Sequence, residues 1–394
     1  MSLYVVLVLI GSDMLSMVGS IASFNIQPLM WMINILIAGL AMIIITKGIV
    51  KNYKVFNIGW PFFIYFSMFL IRMVFDLYFR EVEISTSYSR TSYLIYFLGL
   101  SFLFSYSFCY IKEIDFSFLS KTFYISLFML LCLSIVYNSV LKLDEASTLR
   151  SHGAANIGAL SYGQLGVSFF LMSLHYFTIK QKNIYKLLYI GGMALGLLIV
   201  FLASSRSPLV SLILCTITYL LIQRGAIKGL FIFLLLSLPI YFFWDDILIL
   251  MSNFHSSFIQ RVLSALEGGD SSGRDIIFAQ GLKQFKENPI FGSSFLIEQG
   301  IFRGIYPHNL ILESLMATGL IGTYCLFRWL FGLFKTAYTI ISSKDKYAWI
   351  PLLFFQYFVF GMFSKSIYAN TSLWYFAFLL MYLSTIKKRK SYAE

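Results

Sequence analysis

The chain has 394 residues, 59% of them hydrophobic and 12% charged, with a mean hydropathy of +0.78. No soluble globular domain has that composition, and the formal charge of +12 follows membrane topology rather than nucleic-acid binding. A bilayer core is ~30 Å thick, and ~20 apolar residues cross it as a helix.

Runs of that kind fall at roughly 4–22, 27–46, 56–75, 92–111, 118–140, 157–179, 186–204, 207–223, 229–244, 309–334, 349–365 and 367–386. The chain is expected to be an all-α integral membrane protein of about twelve transmembrane helices, a single polytopic domain over 1–394. Asp13 interrupts the first run, and the run 229–244 is short. No positive region precedes the first run and no small-residue cleavage site follows it, so it reads as a span rather than a removable signal. Cys109, Cys132, Cys215 and Cys325 all fall inside spans and read as core thiols. Gly192 and Gly196, four apart in one span, predict close helix packing.

The tail Lys387-Lys388-Arg389-Lys390 assigns the C-terminus to the cytoplasm by the positive-inside rule. Counting spans back assigns the N-terminus there too, and sets 76–91, 141–156 and 245–308 outside. Lysines then dominate the inner loops and arginines the outer stretches. Lysine is a compact point charge; arginine is a rigid fork that grips phosphate or carboxylate at two points. The sorting points to an outer site for an anionic ligand.

The long polar stretch 245–308 is expected to form a structured outer subdomain. Ser272 reads as a helix N-cap with Asp275 three residues on. Phe278, Leu282 and Phe285 recur at helical spacing, and Asn288-Pro289 with Gly292 reads as the turn that ends an amphipathic helix near 273–287.

Arg206, in Ser204-Ser205-Arg206-Ser207-Pro208, is held at the membrane boundary between two spans, where a charge is costly. Arg274 opens the amphipathic helix, whose unpaired N–H groups favour anions. Arg150 lies just before a span and could reach the same cavity; Arg261 and Arg303 are weaker candidates, each equally readable as an ordinary solvated loop residue. His308, with Asn309 after it and Glu313 about a turn and a half along, is the candidate for proton transfer. His175 and His255 lack such company. Arg72 and Asp76, four apart, read as an intrahelical ion pair, and Asp245-Asp246 as a solvated span end. No phosphate loop, metal-ligand spacing or Ser–His–Asp pattern is present, so no cofactor and no metal is expected.

His308-Asn309, nine residues, Gly319, two residues and Gly322 together resemble the His-Asn/Ser/Gln-x9-Gly-x2-Gly/Thr/Tyr pattern of the O-antigen ligase and polymerase superfamily. Ser205-Arg206-Ser207 is similar to its Ser-Arg-Ser segment. Gly273-Arg274 with Glu287-Asn288-Pro289-Ile290-Phe291-Gly292 is similar to its Gly-Arg…Asn-Pro-x-x-Gly loop. The matches occur in the family's order and cover roughly 150–325.

The resemblance implies a bacterial inner-membrane glycosyltransferase, metal-independent, whose periplasmic site takes a glycan on undecaprenyl pyrophosphate. A polymerase extends another lipid-linked repeat unit and works with a chain-length-regulating copolymerase; a ligase transfers the glycan to lipid A-core. Polymerases carry arginine-led motifs in two periplasmic loops, one with Arg-x10-Gly spacing. Here Arg150 is followed at that distance by Ser161, with Gly163 two later. Arg150 still gives a second arginine-bearing loop, which favours polymerase, with a capsule polymerase or a lipid-linked oligosaccharide flippase as other readings. Under the resemblance, Arg150, Arg206, Arg274 and Asn309 bind substrate, and His308, Arg274 and Glu313 serve the chemistry.

Overall fold

The computed structural model describes residues 1–21, 27–85, 89–137, 157–179, 183–225 and 273–391. These residues are overwhelmingly helical, and no strand is present among them. The helices are α1 (Ser2–Ile21), α2 (Gln27–Val50), α3 (Trp60–Tyr78), α4 (Arg90–Tyr110), α5 (Phe116–Val136), α6 (Ala159–Ile179), α7 (Asn183–Leu202) and α8 (Arg206–Arg224). They continue with α9 (Arg274–Glu287), α10 (Leu310–Ser342), α11 (Trp349–Phe363) and α12 (Thr371–Ser391).

Eight of the described helices are long and apolar enough to cross a membrane: α1 to α5, α7, α8 and α10. The protein is an all-α, multi-pass membrane protein. The apolar run 229–244 and residues 245–272 of the polar stretch lie outside the described residues. Helix α2 shows why these sequences need lipid: Ile35 is 68% exposed, and Leu36, Met42 and Val50 are exposed beside it. A helix that is apolar all round and still uncovered is solvated by hydrocarbon.

The chain divides into two compact units. The first comprises 1–37, 113–270 and 338–356. Its tightest pairing is α6 on α7. A side chain at Gly166 would meet the Gly196 carbonyl, and one at Gly196 would meet that of Gly166. Gly192 faces Ser173 and Tyr124 just as closely. The expected glycine packing is therefore present. Beside it, the Gln356 amide donates to the backbone and side-chain oxygens of Gln164 at 2.8 and 2.9 Å, and Ser168 donates to Gln356 at 3.0 Å. His175 is buried: Nδ1 meets the Tyr219 hydroxyl at 3.0 Å and Nε2 the Lys346 carbonyl at 3.1 Å. It is a satisfied core histidine, as its sequence setting suggested.

The second unit comprises 38–112, 271–337 and 357–394. Its core is aromatic. Phe66 stacks on Phe97 and Phe102 with ring centroids at 4.5 and 4.3 Å, and Phe62 lies 4.8 Å from Trp329. Rings at these separations contribute ~0.5–1.5 kcal/mol per pair beyond burial.

The expected cap of α9 is corrected. Helix α9 begins at Arg274, and its N-cap is Gly273, in the left-handed region at φ 67°, with no side-chain cap bond; Ser272 lies outside the described residues. A left-handed residue needs the freedom of glycine more than a hydroxyl. The fully buried residues of α9 are Ile277, Gly281 and Gln284; Phe278 packs half-buried against the cluster of Ile277, Ile297 and Met316, and Leu282 is exposed. Gly281 lets Met316 and Leu312 of α10 approach, and the Gln284 amide is paired with the carbonyls of Ser294 and Leu296 and the Glu298 N–H. A paired amide is admitted to a core more readily than its polarity suggests.

The candidate site at the start of the longest helix

Helix α10 is broken at Gly319, whose backbone (φ 62°, ψ −162°) is one that only glycine adopts without strain. The break leaves backbone groups unpaired by the helix, and the segment after α9 pairs them. Leu320 N–H donates to the Pro289 carbonyl at 2.8 Å, and Ser293 N–H donates to that of Met316 at 2.8 Å. A side chain on Gly292 or Gly319 would run into the opposing backbone, so the two glycines dock the loop onto the break.

Arg72 of α3 locks this junction. Its guanidinium donates to the carbonyls of Ala317 (3.2 Å), Ser293 (2.9 Å) and Gly292 (3.1 Å). The sequence pairs Arg72 with Asp76, and that contact exists at 4.0 Å. Asp76 is nearer Arg80, at 3.4 Å, and accepts from Phe295 N–H at 3.1 Å. Arg80 also reaches Glu298 at 2.6 Å and the Ser293 carbonyl at 2.8 Å. Arg303 pairs with Glu83 at 3.1 Å. The pair read as intrahelical is thus part of a clamp on the loop between α9 and α10.

His308 closes that loop immediately before α10. It takes a left-handed φ of 54°, uncommon for any residue but glycine and costing on the order of 1 kcal/mol or more. Its Nδ1 lies 3.2 Å from the Ser364 carbonyl, between α11 and α12. A carbonyl only accepts, so Nδ1 carries the proton, and the neutral ring presents its lone pair at Nε2. Nε2 has no partner among the described residues.

Burial is the main reason the imidazole is held below its ordinary value. The bond to Ser364 pulls the other way, and the Arg274 guanidinium nearby adds to the lowering. Arg274 itself reaches the Ser364 hydroxyl at 3.4 Å. Tyr306 packs its ring 4.2 Å from that of His308 and donates to the Ser364 carbonyl at 3.4 Å.

Asn309 caps α10. Its Oδ1 accepts from Leu312 N–H at 3.0 Å, and its amide nitrogen donates to the Met362 carbonyl at 3.1 Å. Glu313 is fully buried and accepts from Ile367 N–H at 2.9 Å through one oxygen; the other, Oε1, has no partner among the described residues. Glu313 and Asn309 therefore fix the 362–367 turn against the start of α10, and that turn supplies the carbonyl that orients His308.

The second unit thus brings together Arg274, His308, Asn309 and Glu313. Arg206 opens α8 in the first unit, half-buried, after Ser204 at a left-handed φ of 49°. Arg150 and Arg261 lie outside the described residues, as do His255 and Asp245-Asp246. Tyr306, Ser364, Arg72 and Arg80 are the participants that the sequence reading did not assign to the site. Only Tyr306 carried a local signal, its place in Tyr306-Pro307-His308-Asn309.

A model of the O-antigen ligase family matches residues 191–327, about a third of the chain. The matched segment holds Arg206, Arg274, His308, Asn309, Glu313, Gly319 and Gly322 and stops short of Arg150. It supports the O-antigen polymerase and ligase superfamily and does not distinguish the two activities. No curated protein matches the chain significantly.

Proposed function

We propose, starting from a chain that carries an O-antigen ligase-type domain over 191–327, that the protein is an O-antigen polymerase. It transfers a glycan from undecaprenyl pyrophosphate onto another lipid-linked repeat unit at the periplasmic face of the inner membrane. The observation that carries the reading is the half-committed histidine: Nδ1 bound to the Ser364 carbonyl, Nε2 open, Arg274 beside it.

In this proposal an acceptor hydroxyl attacks the anomeric carbon of the pyrophosphate-linked sugar with inversion. The hydroxyl proton passes to Nε2 of His308, which burial and Arg274 keep neutral. The C–O bond to pyrophosphate breaks, and Arg274 receives the developing charge as a preorganised donor, without a metal. Arg206 and Arg150 enter as further pyrophosphate ligands on their sequence setting alone. Asn309 and Glu313 position His308 and the 362–367 turn. A copolymerase that sets chain length is the expected protein partner.

Ligase is the second reading, because the matched family carries that description. Chromosomal deletion followed by a lipopolysaccharide gel separates them. Core plus one repeat unit is the expected result. Core alone would point to a ligase or a flippase, and unchanged lipopolysaccharide with lost capsule to a capsule polymerase. Complementation with His308→Asn should leave the deletion pattern in place; a restored ladder would remove the base assignment.

A further inference from the structure

Within the second unit, a cavity of about 760 Å³ opens far along α10 from His308. Its walls come from the segment before α3, the middle of α10 and the end of α12. Among the described residues, four cations line it, Lys54, Arg328, Lys388 and Arg389, and no acidic residue does.

Helix lengths set these groups at one level. Arg328, on α10 past its break at Gly319, lines the same cavity as Arg389, which lies 18 residues beyond Thr371, ~27 Å along α12 at 1.5 Å per residue. That is about one hydrocarbon thickness from the end where His308 sits. Lys54 and Trp60 reach the same level from the start of α3.

The cavity is walled by specific bonds rather than by a loose run of charges. Arg389 donates to the Val55 carbonyl at 3.0 Å, and the Trp329 indole donates to that of Ile58 at 3.1 Å. These hold the 55–59 segment as a wall. Trp60, 62% exposed, places an apolar ring at the mouth, as tryptophans do at the membrane interface. Topology alone would account for exposed lysines on a tail. It does not require two arginines and a lysine from three separate segments to converge on one concavity, and arginine is the cation suited to gripping phosphate.

We propose that this cavity is a binding site for the phosphate headgroup of an anionic lipid in the leaflet at this end of the unit. Basic pockets between transmembrane helices hold such headgroups, and the volume suits one. The site is separate from the glycan chemistry at His308 and stands whether or not that reading does.

The test uses the full chain in nanodiscs of phosphatidylethanolamine doped with brominated phosphatidylglycerol. Bromine quenches nearby indoles, and Trp60 and Trp329 line the cavity. Quenching should saturate at low doping. It should need at least fivefold more doped lipid in Arg328→Gln, and in Lys388→Gln, an exposed position tolerant of change. Lys283→Gln, on α9, should quench like the parent chain. Equal quenching in all variants, or equal quenching by brominated phosphatidylethanolamine, would overturn the proposal. Inorganic phosphate titrated into undoped discs separates the sources: saturable binding with no lipid preference would give the cavity to a soluble anion and overturn the lipid assignment.

Discussion

The two described histidines that sit among helices, His175 and His308, have opposite fates. His175 gives one ring nitrogen to a tyrosine and the other to a carbonyl, is fully buried, and lies on ordinary helical backbone. His308 commits only Nδ1 and, among the described residues, keeps Nε2 open; it is half-buried and sits on left-handed backbone. Satisfied valence and relaxed backbone mark a residue that holds the fold. Unspent valence on strained backbone, held by the surroundings, marks one kept for something that arrives later.

The largest expected effect breaks that contrast directly. His308→Asn keeps a residue that tolerates the left-handed backbone and removes the base, so glycan transfer should fall by ~10²–10⁴-fold with little change in melting temperature. His175→Asn should lower stability and leave transfer per folded molecule unchanged. A His175 variant that is folded but inactive would reverse the assignment.

Next is the scaffold under His308. Gly319→Ala forces a side chain into the Ile290 carbonyl on a backbone reserved for glycine, and Arg72→Ala frees three carbonyls. Each should cost on the order of 3 kcal/mol, read as a fall in thermal stability in detergent. A Gly319→Ala chain that melts like the parent would mean that the loop does not dock on the break.

Arginine chemistry comes third. Arg274→Lys and Arg206→Lys should each lose about tenfold in glycan-ladder assays, because lysine cannot grip phosphate in two places. Full activity in both would remove the pyrophosphate argument.

A pH profile sharpens the comparison at smaller amplitude. With burial and Arg274 lowering His308 below 6.5, the acid limb of transfer should lie below that value. It should move up in the residual activity of Arg274→Gln, which removes one of the two lowering causes. The unfolded chain takes the proton more readily than the folded one. His308 therefore withdraws stability as pH falls from 6.5 through its folded value. The smallest change is Glu313→Gln, which can still accept from Ile367 N–H and should cost less than about 1 kcal/mol, whereas Glu313→Ala leaves that buried N–H unpaired at ~1–3 kcal/mol.

Most apolar runs became helices because twenty consecutive apolar residues have one solution in lipid. The site was legible where its physics is local: His308 at a loop end, Asn309 one residue before α10, Gly319 at fixed spacing. It was illegible where it is not. The Arg72 guanidinium binds carbonyls more than 200 positions away, and a carbonyl such as that of Ser364 leaves no mark on residue identity. The cap of α9 was misread because its backbone turns left-handed at Gly273, which demands a missing side chain rather than a hydroxyl. Its buried face also takes in Gln284, which enters the core because its amide is matched by three backbone groups that residue identity does not announce.

The broken α10 also limits how the enzyme can move. The 289–294 segment supplies partners that the helix lacks at Gly319, and parting them would bare amides and carbonyls at several kcal/mol apiece in an apolar setting. This piece of the loop between α9 and α10 is therefore no swinging lid. It is keyed into the bundle like a wedge in a split beam. In the proposed reaction, the lipid-linked glycan threads past a fixed sill, with His308 standing still beside it from one turnover to the next.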